Sequence, residues 1–70
     1  MTFEDLRKFA KKHNIDNDEN GIYLYPYTLY PEGEIWMNRR SYLPRGLDVT
    51  VKLAEERTPA QMKKFVESLL

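Results

Sequence analysis

The sequence predicts an α+β fold in two layers, α-β-β-β-α, with a three-stranded antiparallel meander and both helices on one face of it. Three observations lead there. Apolar side chains recur at helical spacing near the N-terminus, Ile22 to Leu53 is rich in aromatic and branched residues that alternate with polar ones, and the helical period returns after Thr58.

Thr2 opens the first helix by capping the free N–H of Asp5, whose carboxylate suits the positive end of the helix dipole. At about 100° per residue, Phe3, Leu6, Phe9, Ala10 and His13 share one face and Arg7, Lys8, Lys11 and Lys12 the other. The helix is expected to end near Asn14. Asp16 to Gly21 is wholly polar up to its closing glycine and reads as a loop. Ile22 to Tyr30 then reads as one strand, with Pro26 tolerated because the first strand of a meander is an edge. Pro31-Glu32-Gly33 is a hairpin turn and Glu34–Asn38 the returning strand, with a longer form reaching Tyr42. Pro44-Arg45-Gly46 is a second turn. Leu47, Val49, Val51 and Leu53 alternate with Asp48, Thr50 and Lys52, the pattern of a half-buried strand. Thr58 caps the second helix, Pro59 takes its first position, and Gln61 completes a capping box ahead of the stripe Met62, Phe65, Val66 and Leu69.

Seventy residues make a single domain spanning 1–70. A chain this short buries only about 60% of the surface its unfolded form exposes, so its stability is marginal. There is no cysteine for a disulfide, and a Cys/His zinc site is excluded because His13 is the only histidine. Eleven basic residues balance eleven acidic ones, without the basic excess that phosphate binding favours. With no apolar run of membrane-spanning length and a charged N-terminal helix pattern, the expected setting is cytoplasmic.

Function follows from strand phase. If Leu47, Val49, Val51 and Leu53 turn toward the helices with Ile22, Leu24, Ile35 and Met37, alternation sends Tyr23, Tyr25, Tyr27, Trp36, Asn38 and Arg40 to the other face, beside Thr50 and Lys52. Contiguous exposed aromatic area marks interaction surfaces, and Tyr and Trp are enriched at binding hot spots. The expected partner-binding set is therefore Tyr23, Tyr25, Tyr27, Trp36, Asn38, Arg40 and Lys52. The competing structural reading is that the tyrosines only stabilise the sheet through cross-strand pairs, or that a bulge at Pro26 turns some of them into the core.

Asp16-x-Asp18-x-Asn20-Gly21 matches the first half of an EF-hand-type loop. Tyr27 stands where the closing bidentate acid belongs, so calcium binding is not expected. No nucleophile–base pair, metal-ligand set or phosphate-cradling glycine loop is present, and Gly21, Gly33 and Gly46 all fall at turns; no enzymatic activity, cofactor or metal is expected. His13 reads as a packed residue near the helix end, and the lysine-bearing helix face as solvated surface.

The expectation is a non-enzymatic protein-binding module, an inhibitor, adaptor or assembly subunit, docking on another protein or on a second copy through the aromatic sheet face or a sheet edge. The alternative is a nucleic-acid-binding domain that stacks bases on the sheet aromatics beside Arg40 and Lys52. In element order and span the chain is similar to the double-stranded RNA-binding domain. That family's Lys-Lys-x-Ala-Lys patch is replaced here by Thr58-Pro59-Ala60-Gln61, with Lys63 and Lys64 later. Its Gly-Pro-x-His loop is replaced by Tyr30-Pro31-Glu32-Gly33. The similarity is one of topology.

Overall fold

The computed structural model describes residues 1–38 and 49–70. Among these residues two helices, α1 (Phe3–Lys12) and α2 (Pro59–Leu69), flank in sequence a five-stranded antiparallel sheet: β1 (Asp16–Asp18), β2 (Gly21–Leu24), β3 (Tyr27–Leu29), β4 (Ile35–Asn38) and β5 (Thr50–Ala54). Strand order in the sheet follows the chain. The class is α+β, with five strands in place of the expected three. The element-for-element likeness to the double-stranded RNA-binding domain therefore does not hold.

The two extra strands have local causes. Asp16 to Gly21 forms a hairpin instead of an open loop: β1 pairs with β2, and Glu19-Asn20 makes the turn between Asp18 and Gly21. The long strand expected from Ile22 to Tyr30 is broken at Tyr25-Pro26, whose peptide bond is cis, and β3 folds back on β2 with Leu24 opposite Tyr27. Pro26 thus sits in a two-residue reversal, where its missing N–H costs no ladder bond. Its carbonyl accepts the Asn38 N–H at 2.8 Å, which ties the reversal to β4. The margins of the sheet are β1 and, among the described residues, β5.

Both helices start as their sequences require. Thr2 and Thr58 each accept the backbone N–H three residues on, from Asp5 and Gln61, and donate their own N–H back to those side chains. The end of α1 is a paired closure: Asn14 takes a left-handed φ of 58°, its N–H reaches Lys11, and the Ile15 N–H reaches Ala10. This pattern satisfies the last carbonyls and brings Ile15 onto Ala10.

Register fixes the faces. Asn17, Ile22, Leu29, Ile35 and Ala54 form one cross-strand row, and Leu24, Tyr27, Met37 and Val51 the next on the same side. The buried cluster unites Ile22, Leu29 and Ile35 with Leu6 and Ala10 of α1, Met62 and Val66 of α2, and Ile15. A bulge at Ile35/Trp36 inserts Leu53 into the ladder, so Ala54 and not Leu53 stands opposite Ile35. Leu53 is consequently exposed (47%), and Val49, which precedes β5, is exposed as well (40%), against the expectation that both turn inward; Leu47 lies outside the described residues. Leu69 is exposed as well, beyond the reach of the cluster near the end of α2. His13, placed by helical spacing on the apolar face, is exposed at the helix cap, its ring tilted against that of Phe9 with centroids 4.5 Å apart.

Arg7, assigned by spacing to the solvated face, is half-buried. Its Nε donates to Asn17 Oδ1 at 3.2 Å and its guanidinium pairs with Glu4 at 3.0 Å, while Asn17 Nδ2 donates to the Ile15 carbonyl at 2.9 Å. The residue joins α1 to β1.

The Pro31-Glu32-Gly33 turn has the three-residue hairpin pattern: the Gly33 N–H donates to Tyr30, the Tyr30 N–H to Glu34, and Gly33 takes φ 105°. A Cβ on Gly33 would lie 2.7 Å from the Arg57 carbonyl oxygen, and the Arg57 N–H donates to the Gly33 carbonyl at 3.0 Å. Backbone conformation and close approach both demand glycine. Gly33→Ala is expected to lower unfolding stability by about 1–3 kcal/mol in urea denaturation; a change below about 0.5 kcal/mol would contradict this account of the turn.

Candidate functional site

All five strands contribute to the sheet face opposite the buried cluster. Asp16, Tyr23, Thr28, Trp36 and Lys52 form a continuous cross-strand row on it, followed by the Asn38–Thr50 pair. Tyr23, Thr28 and Trp36 are half-buried and Lys52 is exposed. None of them belongs to the buried cluster.

Two of the seven sequence-derived candidates stand elsewhere, and a third is not among the described residues. Tyr27 is a correction: the reversal at Tyr25-Pro26 resets the alternation, placing Tyr27 opposite Leu24 on the cluster side, where its ring meets Phe65 edge-on with centroids 5.1 Å apart. Tyr25 is 76% exposed, but in the reversal and not in a strand. Arg40 lies outside the described residues. Tyr23, Trp36, Asn38 and Lys52 share the face as a group.

Beside Trp36 the sheet forms a groove of about 350 Å³ lined by Tyr30, Glu32, Glu34, Trp36 and Thr50. The strand spacing missed Tyr30, Glu32 and Glu34 as site residues. The signal was present in the hairpin itself, since a three-residue loop brings Tyr30 opposite Glu34 and holds both against the start of β4.

Polar contacts organise this face. Trp36 Nε1 donates to Glu34 Oε1 at 2.9 Å, and the Lys52 ammonium lies 5.7 Å from the centre of the Trp36 ring. The same ammonium pairs with Glu34 at 3.5 Å and Glu55 at 3.1 Å. The Trp36 indole N–H holds the Glu34 carboxyl below its ordinary pKa, with the Lys52 charge assisting, and Glu55 followed by Glu34 raises Lys52. At the far end of the row the Asp18 carboxylate accepts from the Tyr23 hydroxyl at 2.8 Å and from the N–H groups of Asn20 and Gly21 at 2.8 and 3.1 Å. These bonds, the tyrosine's first among them, lower the Asp18 pKa, and the same bond raises that of Tyr23. One oxygen of Asp18 serves all three donors, so the calcium-loop-like segment is organised as a hairpin turn. Among the described residues, no group of three or more His, Cys, Asp or Glu is placed to hold a metal ion, and no helix is long and apolar enough to cross a membrane.

No protein-family model, characterised protein or solved structure matches this chain.

The Asp18–Tyr23 bond sets a pH window. Asp18 has a lowered folded pKa, so its contribution is complete above the unfolded carboxylate range and is lost as pH falls through the folded value. Tyr23 has a raised folded pKa, so its contribution is complete below the unfolded phenol range and is lost as pH rises through the folded value. Tyr23→Phe is expected to move the Asp18 titration upward toward an ordinary aspartate, followed by carboxyl-carbon NMR. An unchanged Asp18 midpoint would show that the hydroxyl is not its main partner.

Proposed function

We propose that this chain is a non-enzymatic protein-binding module that docks through the sheet face carrying Tyr23, Trp36, Asn38 and Lys52. The observation that carries the reading is the unbroken Tyr23–Thr28–Trp36–Lys52 row, which ends beside the groove of Tyr30 and Trp36. The reading takes both helices to lie over the opposite face. In support, Leu6, Ala10, Met62 and Val66 join the Ile22, Leu29 and Ile35 row in one cluster.

Tyr and Trp suit such a surface because each buries a large rigid ring at low entropic cost and keeps a polar tip for a directed bond. Here the sheet backbone fixes the rings in advance, and Asp18 and Glu34 fix the Tyr23 and Trp36 tips. Little ordering then remains to be done on association. The carboxylates of Glu32 and Glu34 in the groove work against a phosphate backbone, which favours protein over nucleic acid as the partner.

Trp36→Ala and Tyr27→Ala separate the two faces. Trp36→Ala is expected to stay folded, losing about 1–2 kcal/mol of stability, while self-association seen by solution mass, or capture of the native partner, is abolished. Tyr27→Ala is expected to act through stability alone, with loss of the Phe65 contact. If Trp36→Ala unfolds the chain, or leaves both kinds of association intact, the docking face is not here.

A further inference from the structure

The zero net charge conceals a separation of charge along the chain. Between His13 and Asn38 stand Asp16, Asp18, Glu19, Glu32 and Glu34, with no lysine or arginine among them. The helices carry the opposite bias: α1 holds Arg7, Lys8, Lys11 and Lys12 against Glu4 and Asp5. The acidic segment is the one that builds β1 to β4.

On the candidate face this acidity frames the aromatic row. Asp16 is opposite Tyr23 in the ladder, Asp18 holds the Tyr23 hydroxyl, and Glu32 and Glu34 line the groove beside Trp36. Lys52 is the cation of the row, and it is already shared by Glu34 and Glu55. Glu32 has no ion-pair partner among the described residues.

We infer that the groove between Tyr30 and Trp36 receives an arginine side chain presented by a partner protein. This rests on the docking role proposed for the same face. Two aromatic residues and two carboxylates around one opening match a planar cation that stacks on a ring while its N–H groups pair with carboxylate oxygens. The chain displays the same chemistry internally, since Lys52 puts its ammonium over Trp36 and against Glu34 at once. An incoming guanidinium adds Glu32, and its flat, weakly hydrated shape suits a slot beside an indole better than a second ammonium does. The partner surface is accordingly basic, and the acidic frame steers its approach at low ionic strength.

Trp36 is the sole tryptophan and reports on its own site. The probe is a tri-arginine peptide, acetylated and amidated so that only side chains carry charge, titrated into the intact chain at physiological ionic strength. A saturable change in Trp36 fluorescence is expected, with none from tri-glutamate. The double variant E32Q/E34Q keeps an acceptor for the indole N–H and removes both charges; it should weaken the peptide by about tenfold, the scale of two solvent-accessible ion pairs. Lys52→Met removes the resident ammonium and should tighten it. Circular dichroism of each variant confirms that the fold is retained.

The inference is overturned if tri-arginine gives no saturation at millimolar concentration. It also falls if E32Q/E34Q leaves the midpoint of the titration unchanged, or if a short oligothymidylate saturates Trp36 more tightly than the peptide does. The two proposals fail separately. Loss of association in Trp36→Ala without any arginine response keeps the docking face and removes its cation preference. An arginine response with association unaffected by Trp36→Ala keeps the groove and removes the docking role.

Discussion

The arrangement depends on one cross-strand pair. Leu24 opposite Tyr27, closed by Tyr25-Pro26, decides which side of the sheet every later residue meets. A two-residue reversal puts its flanking positions on the same face, so Leu24 and Tyr27 both pack against the buried cluster and Tyr23 lies on the other face with Thr28. The next hairpin carries that phase to β4, where Ile35 extends the apolar row and Trp36 the aromatic one. Had the chain run straight through Pro26, Tyr27 would stand outside and its edge-on contact with Phe65 would be lost.

Around that pair the molecule assembles stability from small local pieces, as a short chain must. Among the described residues eight apolar side chains are buried, and no polar or charged one is buried with them. The rest comes from closures that leave few loose ends: two reciprocal capping boxes, a left-handed Asn14 ending α1, and Gly33 set against the Arg57 backbone. Each satisfies backbone groups that would otherwise face the cluster or fray. This economy leaves Trp36 and Tyr23 outside the core and makes their tethering to Glu34 and Asp18 informative. A ring needed only for packing does not need a fixed polar tip.

What the sequence disclosed followed the range of the interactions concerned. Thr2, Thr58 and Pro59 act within four residues of themselves, as does Gly33 in its hairpin turn, and each stands in the structure where spacing alone puts it; the approach of Gly33 to Arg57 is long-range and was not legible. Tyr23 and Trp36 were legible because each sits next to an apolar residue, Ile22 or Ile35, that anchors its phase. Tyr27 was not, because an aromatic run through a proline reads as continuous alternation and the reversal leaves no separate glycine or asparagine signal. Leu53 and Ala54 exchange places through a bulge set by β4, a partner distant in sequence. Arg7 was hidden for a similar reason: helical periodicity assigns it to water, while Asn17 at the margin of β1 gives its guanidinium a partner.

The brevity of β1 has its own consequence. The segment from Ile22 to Tyr30 carries four tyrosines, and an aromatic strand lying bare at a sheet margin invites pairing with another chain. Here its outer neighbour is three residues long and reads Asp16-Asn17-Asp18. An incoming strand from another molecule meets two carboxylates and a ladder already at its end, so the acidic hairpin insulates the aromatic strands from runaway polymerisation.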